Sequence, residues 1–202
     1  MNNNELSNFG DVSSASLIKK ADFSEGVGME GRFEAKCYDK DGNLKWEDTI
    51  DNLVMAIGKQ LMLDTILAGS AFTATVVMGL VSGASSPTYA AADTQASHAG
   101  WLESGLANAP TYSGTRKTPA FSAATSSGTT PTNITTKATS AAVSFTFTGG
   151  GTVAGCFINI NGTSAIDNTT GTLYSAGSFT GGNKTVASTD QLNVTYSTTA
   201  TS

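Results

Sequence analysis

Only one stretch of these 202 residues reads as helix, and it limits what the rest of the chain can build around it. Residues 51–69, DNLVMAIGKQLMLDTILAG, place Leu53, Ile57 and Leu61 at four-residue spacing, and Met62 and Ile66 likewise. Side chains at that spacing stack along one helical face. Asp51 stands where a carboxylate can cap the first turn by accepting from its free N–H groups, with Ile50 and Met55 as a hydrophobic staple. Gly69 follows the last apolar residue, where a left-handed position ends a helix. Val54, Met55, Leu63 and Leu67 fall on other faces. The apolar character therefore runs nearly all round, which predicts a buried helix over about residues 52–68, enclosed on several sides. Lys59, Gln60 and Asp64 interrupt it, and it is too short to span a bilayer. The helix is expected to pack under a sheet.

Around it the sequence alternates as strands do. Phe33, Ala35 and Cys37 alternate with Arg32, Glu34, Lys36 and Tyr38, the period of a half-buried strand. Residues 39–43 supply an Asp-Gly turn, and residues 44–49 read as the return strand of a β-hairpin. Asp39, Asp41 and Asn43 are spaced like the start of a calcium loop. Ile50 occupies the twelfth position, where such a loop carries Glu, so the turn explanation suffices. Residues 73–81 read as a buried strand. In the last seventy residues Ala141, Val143, Phe145 and Phe147 alternate with Ser and Thr, and further strands are expected over 153–160, 173–179 and 192–196. Asn161-Gly162 reads as a tight hairpin turn between two of them. Strands of even length separated by Gly-rich turns predict a mainly β protein, an antiparallel sandwich or jelly-roll-like body. Residues 30–202 are expected to form that single domain, preceded by an extended N-terminal arm over 1–29.

Composition excludes more than it assigns. Charged residues are 13% of the chain, well below the usual share, and the formal net charge is −5. Low charge argues against ordinary disorder and fits strands whose outward positions are Thr and Ser. Through Glu103 there are 14 acids against 7 bases, and beyond it 2 against 4, with no basic stripe that would point to nucleic acid. Cys37 and Cys156 are far apart and neither has a CxxC partner, so two reduced, buried thiols are expected, with a disulfide left open. His98 is the single histidine, and no second ligand or nucleophile accompanies it, so it is read as a structural side chain. No catalytic, cofactor-binding or metal-ligating set is expected. The first residues show no basic segment leading into an apolar run, so the expectation is folding in a cytoplasm. Within the arm, Phe9, Leu17, Ile18 and Phe23 are isolated apolar residues in a polar segment, which suits anchors that order on a partner. Arg116-Lys117 is either a grip on an acidic partner surface or a solvated pair of bases.

The most distinctive segment is DTQASHAGWLE, residues 93–103, in which Trp101 is expected to anchor a loop or short helix to the core. Taken with the hairpin GRFEAKCYDKDGNLKWEDTIDN, the helix ending in LAG, Pro87-Thr88-Tyr89, Tyr112 and Arg116, and the closing DQLNVTY, it resembles a family of tailed-bacteriophage structural proteins. The chain is similar there, over about residues 30–198, to the capsid cement (decoration) proteins of short-tailed phages. The resemblance implies a jelly-roll-like body with no catalysis and no cofactor. It implies attachment to the major capsid protein on the capsid exterior of a virion assembled in a bacterial cytoplasm, as a homodimer or homotrimer, with neither nucleic acid nor membrane as partner. Such a role suits the composition. Thr- and Ser-rich faces desolvate at small cost, and interfaces of about 1,200–2,000 Å² repeated over a shell would lock it against outward pressure. The competing reading is a tail-fibre or capsid-spike module that stacks host-surface carbohydrate on Trp46, Trp101 or the tyrosines. An enzyme is the least supported, because the carboxylates lie on turns and hairpin faces.

Overall fold

The alternation around Phe33 builds the first strand of a β-sandwich. The computed structural model describes residues 28–67, 74–84, 86–127 and 134–201. β1 (Gly28–Tyr38) buries Phe33, Ala35 and Cys37 and turns Arg32, Glu34 and Lys36 outward, as the two-residue period requires. It returns as β2 (Leu44–Val54) through the expected turn. There Asp39 Oδ1 accepts from the backbone N–H groups of Asp41 and Asn43, both at 2.9 Å, and Gly42 takes φ +83°. The Asn43 side-chain amide, donating to the carboxylate, holds the Asp39 carboxyl below its ordinary value.

The other strands are β3 (Val76–Ser82), β4 (Thr125–Ser127), β5 (Ile134–Ala138), β6 (Val143–Thr146), β7 (Gly151–Ile160), β8 (Thr172–Ser178), β9 (Lys184–Val186) and β10 (Gln191–Thr201). All pairings are antiparallel. One layer runs β2-β1-β10, with β6 and then β5 along the far edge of β10 and β4 outside β5. The other runs β3-β7, with β8 and β9 sharing the far edge of β7. Leu53 and Val54 at the end of β2 pair with Ala176 and Ser175 of β8, so the layers join along one side. The main core, including Phe33, Ile50, Leu80, Phe145, Ile158 and Leu192, lies between them. Cys37 and Cys156 sit in it as unbonded thiols. A smaller cluster around Trp101, Phe157 and Leu173 lies apart from that core. Residues 153–159 of β7 are consequently all buried, and a strand covered on both faces loses its alternation.

Four expectations are corrected. The helix, α1 (Ala56–Leu67), starts later than Asp51 implies, and residues 52–54 are strand. Asn52 continues the ladder to β1, Leu53 and Val54 pair with β8, and this strand pairing outweighs one capping bond. Asp51 is exposed and pairs with Arg32 at 3.0 Å. Met55 takes the cap position, its carbonyl accepting from Lys59 N–H, while Ala56 N–H donates to Ala91 O. Nor is the helix enclosed, since Gly58 is its one buried residue. Leu63, Ile66 and Leu67 are 61%, 71% and 82% exposed. A Cβ on Gly58 would stand 2.9 Å from Tyr174 O, so the missing side chain lets the helix lie close on β8. Gly69 is outside the described residues. Residues 161–171 are a loop instead of a tight hairpin turn, although Asn161 does take a left-handed φ of 59°. Finally, Gly28 and Met29 belong to β1 and not to an arm, because they continue its ladder to Ala200 and Thr201.

Candidate functional site: a clasped outer loop and a nonpolar groove

The segment 93–103 is held by its own side chains against the outer face of β7 and β3. Asp93 Oδ2 accepts from Ala90 N–H, and Thr94 and Ser97 exchange backbone hydrogen bonds. Buried Gln95 accepts from Asn159 Nδ2 at 2.7 Å. His98 stacks on Trp101 with ring centroids 3.9 Å apart, and its Nδ1 lies 3.2 Å from Trp101 O. A Cβ on Gly100 would come within 2.3 Å of Thr88 O, so glycine is required where the two loop segments touch. Trp101 is 1% exposed and packs on Phe157 at 5.2 Å.

Glu103 closes the segment with a buried ion pair. Its Oε1 accepts from Arg116 Nε at 2.8 Å, and its Oε2 from Arg116 Nη2 at 2.6 Å and from Asp167 N–H at 2.9 Å. Arg116 also donates to the carbonyls of Thr163 and Asn168, and its guanidinium lies 5.4 Å from the Phe157 ring. Both side chains are almost wholly removed from water. A bidentate pair in which each guanidinium nitrogen and each carboxylate oxygen is hydrogen-bonded is how buried charges are tolerated. It fastens three segments, the 93–103 loop, residues 115–117 and the 161–171 loop.

The two thiols lie in the main core, outside this clasp. Burial pushes the Cys37 thiol up to about 11, with Asp190 adding to the shift, and burial pushes the Cys156 thiol up as well. Neither supplies thiolate near neutral pH. Among the described residues no three His, Cys, Asp or Glu side chains gather where they could hold a metal ion, and no helix is long and apolar enough to cross a membrane.

The sequence-derived partner residues fare unevenly. Arg116 is not offered to a partner, nor is it a solvated base, because the acid it grips is its own chain's Glu103. Lys117 pairs by backbone with Met78 and folds its Nζ back to Ser113 O at 2.6 Å. The two bases therefore do not act together. Phe9, Leu17, Ile18 and Phe23 lie outside the described residues.

A surface that sequence reasoning missed lies at α1. Leu63, Ile66 and Leu67 occupy positions i, i+3 and i+4 and make an exposed apolar ridge. On the inner side of the same helix a nonpolar groove of about 240 Å³ runs between Met62, Val76, Phe121, Ile158, Ile160 and Tyr174. It continues through Met62 and Ile160 toward Leu61 and Ile66. The Tyr174 hydroxyl, in reach of Met62 Sδ and Thr198 Oγ1, closes its floor. The signal for this surface was present in the nearly all-round apolar pattern of the helix, which marks an unpartnered face as readily as an enclosed one. Compared with protein-family models, curated proteins and solved structures, the chain matches none.

Proposed function

We propose that this chain is a non-enzymatic virion structural protein that binds and stabilises an icosahedral capsid shell, as a homodimer or homotrimer on its outer surface. The observation that carries the reading beyond the family resemblance is the ridge of Leu63, Ile66 and Leu67, a docking surface of the chemistry that permanent assembly uses. A tightly clasped sandwich with low charge supports it, because a rigid body loses little freedom on binding. The carbohydrate alternative gains no support. Trp101 is buried, and Trp46 stands edge-on to Phe179 with its indole N–H donated to Thr185 O.

The test is sedimentation of the purified full-length chain with capsid shells stripped of accessory proteins. The chain is expected to pellet with the shells to saturation. The triple variant Leu63→Asp, Ile66→Asp, Leu67→Asp is expected to keep its fold, since all three side chains are exposed, yet to bind at least ~100-fold more weakly. A wild-type chain that stays in the supernatant, or a folded variant that pellets equally well, overturns the proposal.

A further inference from the structure

We infer that the groove beside α1 is the seat of this chain's own N-terminal arm, with Phe23 and the Leu17-Ile18 pair as the side chains that enter it. Three observations carry the inference. The first is where the arm begins. The floor of the groove includes Tyr196 and Thr198 of β10, and Thr198 pairs with Gly31 of β1. Gly28, where the described chain starts, is three residues further along that strand, about 10 Å at the rise of a β-strand. Twenty-seven residues precede it, and Phe23 stands five before it, within about 17 Å when extended. Gly26 and Gly28 supply the freedom to double back.

The second observation is chemical fit. The groove is lined by aliphatic and aromatic side chains, and Lys137 is the one charged residue on its wall. The Lys137 ammonium stands 5.9 Å from the Phe121 ring centroid and donates to Ser122 O. Asp22 and Glu25 flank Phe23, so an arm that inserts the phenyl ring brings carboxylates to the lysine. The third is proximity. A ligand tethered by a handful of residues meets its site at an effective concentration of order millimolar, which a chain outside the same assembly does not match in dilute solution, and the arm of the same copy has the short tether described above. The occupant is therefore the arm of the same copy. The groove shares Ile66 alone with the outer ridge of α1, and Phe9, the most remote of the four anchors in sequence, is not assigned to it.

The experiment is photo-crosslinking of the full chain carrying p-benzoylphenylalanine in place of Phe121, with a second sample carrying it in place of Leu61 in case the first fails to fold. Each is irradiated as an equal mixture of ¹⁴N- and ¹⁵N-labelled protein, and the crosslinked peptides are identified by mass spectrometry. Crosslinks between the groove and residues 17–25 are expected, with both peptides carrying the same isotope, and they are expected to be lost with Phe23→Asp in the same chain. Crosslinks of mixed isotope would mean that a second copy supplies the arm and would overturn the assignment. Crosslinks only to other parts of the chain, or none from either position, would overturn it too.

Discussion

Arg116→Ala is expected to cost about 3–5 kcal/mol of stability, a large share of the margin by which a domain of this size stays folded. Truncation leaves the Glu103 carboxylate buried with two of its three donors gone, and it leaves the carbonyls of Thr163 and Asn168 without the guanidinium. Equilibrium unfolding in urea measures the loss directly. The pair itself is a device for joining loops and not a source of net stability, so the double variant Glu103→Leu, Arg116→Met is expected to recover much of the deficit. If the single variant unfolds at the wild-type urea concentration, Arg116 is not the fastener described above.

Trp101→Ala is the second large effect. The ring is enclosed by His98, Tyr89 and Phe157, at centroid distances of 3.9, 6.2 and 5.2 Å, and its removal opens a cavity on the outer face of β7. Such a change costs about 3–5 kcal/mol. Trp101→Phe keeps an aromatic ring against Phe157 and is expected to lose clearly less. Hydrogen exchange adds a spatial readout, because protection should fall first across residues 88–104, whose backbone bonds to Ser82 and Leu80 depend on the loop lying flat. Loss spread evenly over the sandwich would show that Trp101 is not a local anchor.

These two residues also show what was legible in the sequence. Trp101 is legible as an anchor, because an isolated tryptophan in a polar segment has few stable alternatives to burial. The β1–β2 hairpin was legible for a local reason, since the period-two pattern and the Asp-Gly turn agree within about twenty residues. Arg116 was not legible. Its meaning depends on Glu103, thirteen residues away, and on the carbonyl groups of a loop some fifty residues further on. Adjacent bases carry no trace of such partners. The helix start was misread for the same kind of reason, because the capping signal at Asp51 is local while the pairing of Leu53 and Val54 with β8 spans more than a hundred residues.

The exposed ridge is the instructive failure. Apolar residues all round a helix predict enclosure only if the chain itself supplies the enclosing surfaces. Here β8 covers the face around Gly58, and Leu63, Ile66 and Leu67 remain exposed. The groove behind them was equally out of reach, since it is assembled from α1, β3, β5, β7, β8, β10 and the Phe121 segment. Periodicity reports what a face must avoid; it does not report which surface covers it.

Copy number per particle tests most directly the proposal that the chain is a repeated component of a viral shell. Quantitative mass spectrometry on purified virions, referenced to peptides of the major capsid protein, gives that number. A fixed, simple ratio to the capsid subunits, with copies spread over the whole shell, is the predicted result. A count matching a single vertex or the tail, or no copies in the particle, would contradict it.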